Sequence, residues 1–170
     1  KEEDFIEHLF VASTKDYLLV FTDKGQVHWV KVYEIPQASK VSKGKAIVNL
    51  VNLLPGERMA AILPVKEFAE DRYIVMVTKH GVIKKTALSA YANPRSSGII
   101  AISIDEGDEL MDVQQTLGNQ DIFLATRQGK SIRFNEGDVR DTGRTARGVR
   151  GITLDKADTL VRVALPPEGN

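Results

Sequence analysis

The sequence contains no cysteine among its 170 residues. This absence excludes a disulfide framework and thiolate metal sites, and it fits a reducing cytoplasm. No apolar run approaches the roughly 18–20 residues that a membrane-spanning helix needs, and the first residues show no signal-peptide pattern. Charge of one sign is not in excess either, because 23 basic and 23 acidic residues give a formal net charge of zero. Bulk charge alone therefore does not indicate a nucleic-acid-binding protein.

The motifs that would indicate an enzyme are also missing. The histidines His8, His28 and His80 are isolated, with no second histidine or carboxylate at metal-ligand spacing. The chain has no G-x-x-x-x-G-K-[ST] phosphate loop and no serine in a nucleophile elbow. We therefore expect no catalytic residue, metal ion or cofactor in this chain, and no DNA cleavage, supercoiling or ATP hydrolysis by it alone.

What the sequence does contain is one pattern that occurs three times. Each copy has an apolar, β-type run, a threonine, two polar residues and a glycine, followed by a second β-type run. The hairpin glycines are Gly25, Gly81 and Gly129, which lie 56 and 48 residues apart. A period near fifty that consists of short strands is typical of propeller-like folds, in which one repeat cannot bury its own faces.

Each copy continues with two further predicted strands. A second glycine, 17 to 19 residues after the first, opens the third strand, which is predicted over 44–50, 98–104 and 148–154. A short turn then leads to the fourth strand, which is predicted over 59–63, 110–113 and 160–164. The sequence therefore predicts an all-β fold, a β-pinwheel or propeller-like partial ring of four-stranded antiparallel blades.

The repeats also predict how the chain is divided. Residues 1–170 form one repeat domain, with blades over 15–66, 67–116 and 117–166. Residues 1–14 match the fourth strand again, which predicts the last strand of a preceding blade that is missing. Three blades leave an open face at each end, formed at the start by Phe5, Ile6, Leu9 and Phe10 and at the end by Leu160, Val161, Val163 and Leu165. We therefore expect self-association or strand exchange between copies through these ends.

Basic residues gather in the connections between strands, whereas acidic residues gather in the turns before the fourth strands. If equivalent loops share one rim, the bases form a positive stripe that can follow a phosphate backbone without reading sequence. The residues predicted to bind DNA are Lys40, Lys43, Lys45, Lys79, Lys84, Lys85, Arg95, Arg127, Lys130, Arg133, Arg140, Arg144, Arg147 and Arg150. The alternative for any one of them is an ordinary solvated surface charge.

Several phrases are more specific than the repeat itself. They are Tyr33-Glu34-Ile35-Pro36, the runs 44–50 and 93–102, the run 134–140, and the arginine-rich run 143–152. On these phrases, and over essentially its whole length, the chain resembles the C-terminal domain of the DNA gyrase A protein. The corresponding protein of topoisomerase IV carries a looser version of the repeat and is the poorer match.

The resemblance implies a β-pinwheel of about six blades that exchange strands and wrap double-stranded DNA on a basic outer edge. It also implies the rest of gyrase A and the gyrase B protein as partners, no membrane, and a bacterial, nucleoid-associated cytoplasmic location. In this family the cleaving tyrosine, ATP and Mg²⁺ belong to other domains or to the partner protein. The Gln-Arg-Arg-Gly-rich box that the family requires for wrapping is absent from this sequence. We therefore expect DNA contact but less than full wrapping.

Two other classes of function stay open on the sequence. The loops of a protein-interaction propeller would bind a partner, and the basic stripe would then be incidental. In a regulatory role, the acidic turns would compete with DNA for the basic rim. Salt-dependent binding to duplex DNA of random sequence distinguishes DNA binding from protein interaction.

Overall fold

The computed structural model describes residues 17–31, 47, 49–93, 95 and 97–166. Eleven β-strands lie in these ranges, together with two short 3-10 helices, Leu88–Tyr91 and Glu136–Asp138. In chain order the strands are β1 (Tyr17–Thr22), β2 (Gln26–Lys31), β3 (Met59–Val65), β4 (Tyr73–Thr78), β5 (Val82–Ala87), β6 (Ile99–Ile100), β7 (Leu110–Thr116), β8 (Asp121–Thr126), β9 (Ser131–Asn135), β10 (Val149–Arg150) and β11 (Leu160–Ala164). The predicted all-β fold is confirmed. No helix in the described ranges is long and apolar enough to cross a membrane.

The strands form three sheets that repeat one antiparallel arrangement. Their orders are β3-β1-β2-β6, β10-β5-β4-β7 and β11-β8-β9. Each sheet takes a hairpin and the following long strand from one repeat. The fourth strand of the first two sheets, β6 or β10, comes from the next repeat along the chain. The third predicted strand of a repeat therefore completes the preceding sheet, and neighbouring repeats are tied together by backbone hydrogen bonds.

The predicted third strands differ most from the structure. Among their described residues, only Ile99–Ile100 and Val149–Arg150 are paired as strands. The prediction over 44–50 is wrong where the structure describes it, because Ile47, Asn49 and Leu50 are helical. A short apolar run fits a helix segment as well as a strand, and here Ile47 is buried while Leu50 is exposed. The strand predicted within 1–14 lies outside the described residues.

Two core clusters of the described residues lie between neighbouring sheets, and a third packs Ile47 and Val51 on the first sheet. Along β4, Ile74 and Met76 pack into one cluster with the first sheet, whereas Val75 and Val77 pack into a second cluster with the third sheet. Successive side chains of a strand point to opposite faces, so both faces of this strand are covered. This double burial explains the unbroken apolar runs before Thr22 and Thr78, whereas every second residue of β8 is only half-buried.

The open end predicted at Leu160 and Val163 is wrong for these two side chains, because both are fully buried. They belong to the cluster between the second and third sheets. Their neighbour Val161 is 37% exposed. Leu160 and Val163 therefore face existing blades, whereas Val161 lies on the exposed side of the strand.

The long strands β3, β7 and β11 lie side by side in chain order. Each of them is an edge strand of its own sheet, so the opposite edges, formed by β6, β10 and β9, lie on the other side of the assembly. The connections into β6 and β10 lead to two of these opposite edges. This arrangement places the arginine-rich connection between β9 and β10 beside β5, where the Thr142 amide donates to the Lys85 carbonyl at 2.8 Å.

The hairpin glycines provide a prediction about how the repeats are joined. Gly81 and Gly129 both have a φ of +92°, so an alanine has the same backbone cost at either position. A Cβ at Gly81 would lie 2.6 Å from the Ile152 carbonyl oxygen, whereas a Cβ at Gly129 meets nothing within 4 Å. We expect Gly129→Ala to lower the free energy of unfolding by about 1 kcal/mol and Gly81→Ala by about 2 kcal/mol more. Urea denaturation of both variants measures this difference, and equal losses would contradict the packing of the third repeat against Gly81.

Candidate nucleic-acid interface

The arginine-rich connection is fixed to the neighbouring repeat. We call residues Gly143–Arg150 the arginine loop and residues Ile100–Asp105 the acceptor segment. Ser103 donates its amide to the Ala146 carbonyl at 3.1 Å and its hydroxyl to the Thr145 carbonyl at 2.7 Å. A loop on the third repeat is therefore held by residues of the second, some forty positions earlier in the chain.

The first two arginines of the loop also contact the acceptor segment. The Arg144 guanidinium donates to the Ile100 carbonyl at 2.6 Å, and Arg147 forms an ion pair with Asp105 at 2.7 Å. The Asp105 carboxylate, through its hydrogen bond and its charge, raises the pKa of Arg147, which is cationic in any case. The Arg147 side chain is 70% exposed, and water and salt screen an ion pair this exposed. A phosphate can therefore replace Asp105 as the partner of Arg147.

Several predicted DNA-binding residues carry cations that have no side-chain partner among the residues that the structure describes. The side chains of Arg95, Arg127, Arg140 and Arg150 are exposed, and that of Lys79 is half-buried. None of the five makes a side-chain hydrogen bond or ion pair with another residue in the described part of the chain. Their charges are available to a ligand.

Two further predicted DNA-binding residues, Lys130 and Arg133, are exposed but already bind other groups of the chain. Lys130 donates its ammonium to the Thr153 carbonyl at 2.7 Å. Arg133 binds the Asp121 carboxylate through two nitrogens, each at 2.8 Å, and lies 5.0 Å from the centre of the Phe123 ring. The hydrogen bonds from Arg133 and Asn135 lower the pKa of Asp121. These two bases have fewer donors left for phosphate than Arg150 has.

Two predicted contacts are wrong, because Lys84 and Lys85 are buried. The Lys84 ammonium donates to the carbonyls of Ala101, at 2.8 Å, and Arg144. Lys85 pairs with the buried Glu136 carboxylate at 3.3 Å and lies 4.5 Å from the centre of the Tyr73 ring. Both faces of β5 are covered by neighbouring segments. Two adjacent lysines, which the sequence alone suggests are exposed, are therefore buried. The other predicted contacts, Lys40, Lys43 and Lys45, lie outside the described residues.

The environment of Lys84 is unusual for a lysine. Burial, followed by the positive charge of Arg144, lowers its pKa to about 8. Its partners are neutral carbonyl groups, which accept hydrogen bonds without neutralising the ammonium. At pH 7 most molecules therefore still carry a protonated Lys84 beneath the arginine loop.

The acidic turns brace the hairpins. Glu57, Asp108 and Asp158 occupy equivalent positions and are mostly buried. The Thr22 hydroxyl donates to Glu57 at 2.8 Å. In the next two repeats a hairpin amide donates instead, from His80 to Asp108 at 2.9 Å and from Gln128 to Asp158 at 3.0 Å. Burial opposes the ionisation of Asp158, yet hydrogen bonds from its neighbours bring its pKa below the usual value. These carboxylates hold backbone and hydroxyl groups, whereas Asp105 is the acidic-turn residue paired with an arginine of the loop.

Sequence reasoning missed the acceptor segment. Ser103 and Asp105 carry no motif, and their contacts with the loop depend on strand exchange between repeats. The carboxylates of Glu57, Asp108 and Asp158 could have been found from the sequence, since each lies two residues before a fourth strand. Each also directly follows a residue with positive φ, at Gly56, Gly107 or Ala157. Within the described ranges, no group of three or more histidine or carboxylate side chains could hold a metal ion.

The chain shares its repeats and its fold with known proteins. The family described as DNA gyrase C-terminal domain, beta-propeller, matches residues 16–66, 72–116 and 120–167. The DNA gyrase A protein of Salmonella typhimurium is 48% identical over 98% of this chain and 19% of its own length, and that of Buchnera aphidicola is 49% identical over 98% and 20%. The chain thus spans about a fifth of the length of these relatives.

Solved structures give the same fold. The C-terminal domain of DNA topoisomerase IV has a TM-score of 0.79 at 33% identity, over 91% of this chain and 48% of that one. The DNA gyrase A C-terminal domain has a TM-score of 0.76 at 25% identity, over 91% and 49%. The family match covers most of the chain, and each matched stretch supplies the hairpin and the long strand of one sheet. The chain belongs to the family of DNA gyrase A C-terminal domains, which fold as β-propellers.

Proposed function

We propose that the chain binds duplex DNA without sequence preference on its outer rim, as part of a gyrase A protein. The observation that carries this proposal is the arginine loop, a basic segment fixed on the neighbouring repeat, with Arg147 and Arg150 exposed. Arg144 and Arg147 also contact the acceptor segment, whereas the Arg150 cation has no side-chain partner among the described residues. Fixed cations without a helix to enter the major groove suit phosphate contacts rather than base contacts.

In the full-length protein, this binding bends or wraps DNA and thereby supports ATP-dependent negative supercoiling. The rest of gyrase A, the gyrase B protein, ATP and Mg²⁺ then supply the cleavage and the energy. The chain itself is a binding module without catalytic activity, and its place is the bacterial cytoplasm, on the nucleoid. Copies of the chain associate through open blade ends, and a candidate for one such end is the outer edge of β9, which pairs only with β8 among the described strands.

The related domain of topoisomerase IV is the alternative assignment. It is supported by the higher TM-score and identity of the topoisomerase IV structure relative to the gyrase structure. The identity of nearly one half to gyrase A sequences over almost the whole chain favours gyrase. Both assignments share the proposed DNA contact.

Duplex binding at several salt concentrations tests the proposal. We expect the logarithm of the association constant to fall linearly with the logarithm of salt concentration, by about 0.9 for each phosphate neutralised. Two duplexes of unrelated sequence are expected to give the same affinity and slope. A protein-interaction propeller predicts no saturable binding at low salt, and a recognition protein predicts one preferred sequence; either outcome overturns the proposal.

A further inference from the structure

Lys84 is the buried group that connects both sides of the candidate interface. From β5, its ammonium reaches the acceptor segment at the Ala101 carbonyl and the arginine loop at the Arg144 carbonyl. The Tyr91 hydroxyl donates to the same Ala101 oxygen at 3.1 Å. One side chain of the second repeat thus binds the backbone of its own exchanged segment and of the third repeat's loop.

The contacts around Lys84 form a continuous attachment. Arg144 donates to the Ile100 carbonyl, the residue before Ala101, while Lys84 binds the carbonyl of Arg144 itself. At the end of the loop, a Cβ on Gly148 would lie 2.6 Å from the Ile83 carbonyl oxygen, so the loop backbone is pressed onto β5. The position of the Arg144 backbone therefore depends on Lys84, and the position of its guanidinium follows.

We propose that Lys84 is a positioning residue for DNA binding, which holds the arginine loop on the acceptor segment so that its guanidinium groups are presented in fixed positions. The proposal rests on the proposed function, because it concerns the same loop. Lys84 itself does not contact phosphate, since its side chain is fully buried. Because Lys84 holds the loop in place before DNA binds, the loop loses less conformational entropy on binding.

The test compares Lys84→Met with Lys156→Met, which removes one lysine from an exposed turn. We expect Lys84→Met to weaken duplex binding about tenfold, because it removes charge-assisted hydrogen bonds that hold the loop. The control, Lys156→Met, is expected to change binding about twofold or less. In a background that already carries Arg144→Ala, Arg147→Ala and Arg150→Ala, Lys84→Met is expected to have no further effect, because it acts through those arginines. An equal loss in both backgrounds, or no loss in the first, would overturn the proposal.

Hydrogen exchange of the Ser103 amide provides a readout that needs no DNA. This amide donates to the Ala146 carbonyl of the arginine loop, so its exchange reports whether the loop is docked. We expect faster exchange at Ser103 in Lys84→Met and wild-type exchange in Lys156→Met. If the wild type binds no DNA, the proposed function fails, while this measurement still decides whether Lys84 holds the loop.

A second variant applies if Lys84→Met does not fold. Ser103→Ala removes the hydroxyl bond to Thr145 at an exposed position and changes no charge. We expect it to weaken DNA binding about threefold in the wild-type background and not in the triple-arginine background. Unchanged binding by Ser103→Ala would contradict the view that loop attachment supports binding.

Discussion

Lys85→Met is expected to lower the free energy of unfolding by about 3 kcal/mol, because it leaves a buried carboxylate without its cation. Glu136 is fully buried, and its oxygens also accept the Thr116 hydroxyl at 2.8 Å and the Gln120 amide at 2.9 Å. These two bonds orient the carboxylate but do not neutralise it. The pair joins the second sheet to the 3-10 helix after β9, so its loss weakens the junction between repeats.

Urea denaturation monitored by circular dichroism measures this loss. Lys66→Met removes an exposed lysine and is expected to change stability by less than about 0.5 kcal/mol. Adding Glu136→Gln to Lys85→Met removes the unpaired charge, so the double variant is expected to recover part of the loss. If Lys85→Met is as stable as Lys66→Met, the buried ion pair does not hold the junction.

The second large effect concerns DNA affinity. Replacing Arg144, Arg147 and Arg150 together by alanine is expected to weaken binding about 100-fold at low salt, at roughly 1.4 kcal/mol for each factor of ten. The slope of log affinity against log salt is expected to fall by up to about 2.7, since three phosphate contacts are lost. Both changes are expected on every duplex sequence, because none of these contacts reads a base.

A matched control separates position from charge. The combination of Arg58→Ala, Lys66→Ala and Lys156→Ala also removes three positive charges, from exposed side chains outside the predicted DNA-binding set. It is expected to weaken binding only modestly, through the general field of the protein. Equal losses for the two triple variants would show that overall charge, and not the arginine loop, determines affinity.

Local sequence features predicted the fold well. The three hairpins and the long strands after them follow from apolar runs that end at threonine and glycine, and β11 has the predicted bounds of 160–164. The family resemblance implied strand exchange, but the pairing of Ile99 with Val27 and of Val149 with Ile83 depends on contacts between repeats. Such pairings leave no local pattern, so the third strands were assigned too long and, at Ile47, to the wrong structure.

The candidate interface was predictable only in part. The arginines of the loop could be found because three of them fall within seven residues of one connection. The burial of Lys84 and Lys85 could not, because the sequence does not show that β5 is covered on both faces. A charged side chain can be buried where carbonyl groups or a carboxylate bind it. Here these partners belong to Ala101, Arg144 and Glu136, which lie in other segments of the chain.

Binding of duplex DNA on the outer rim that carries the arginine loop can be measured directly at the arginine side chains. The measurement is their chemical modification, with and without bound duplex, quantified for each residue by mass spectrometry. We expect DNA to protect Arg144, Arg147 and Arg150, while Arg58 and Arg72 react equally in both states. Protection of Arg58 and Arg72 with unchanged reactivity of the three loop arginines would contradict binding at this rim.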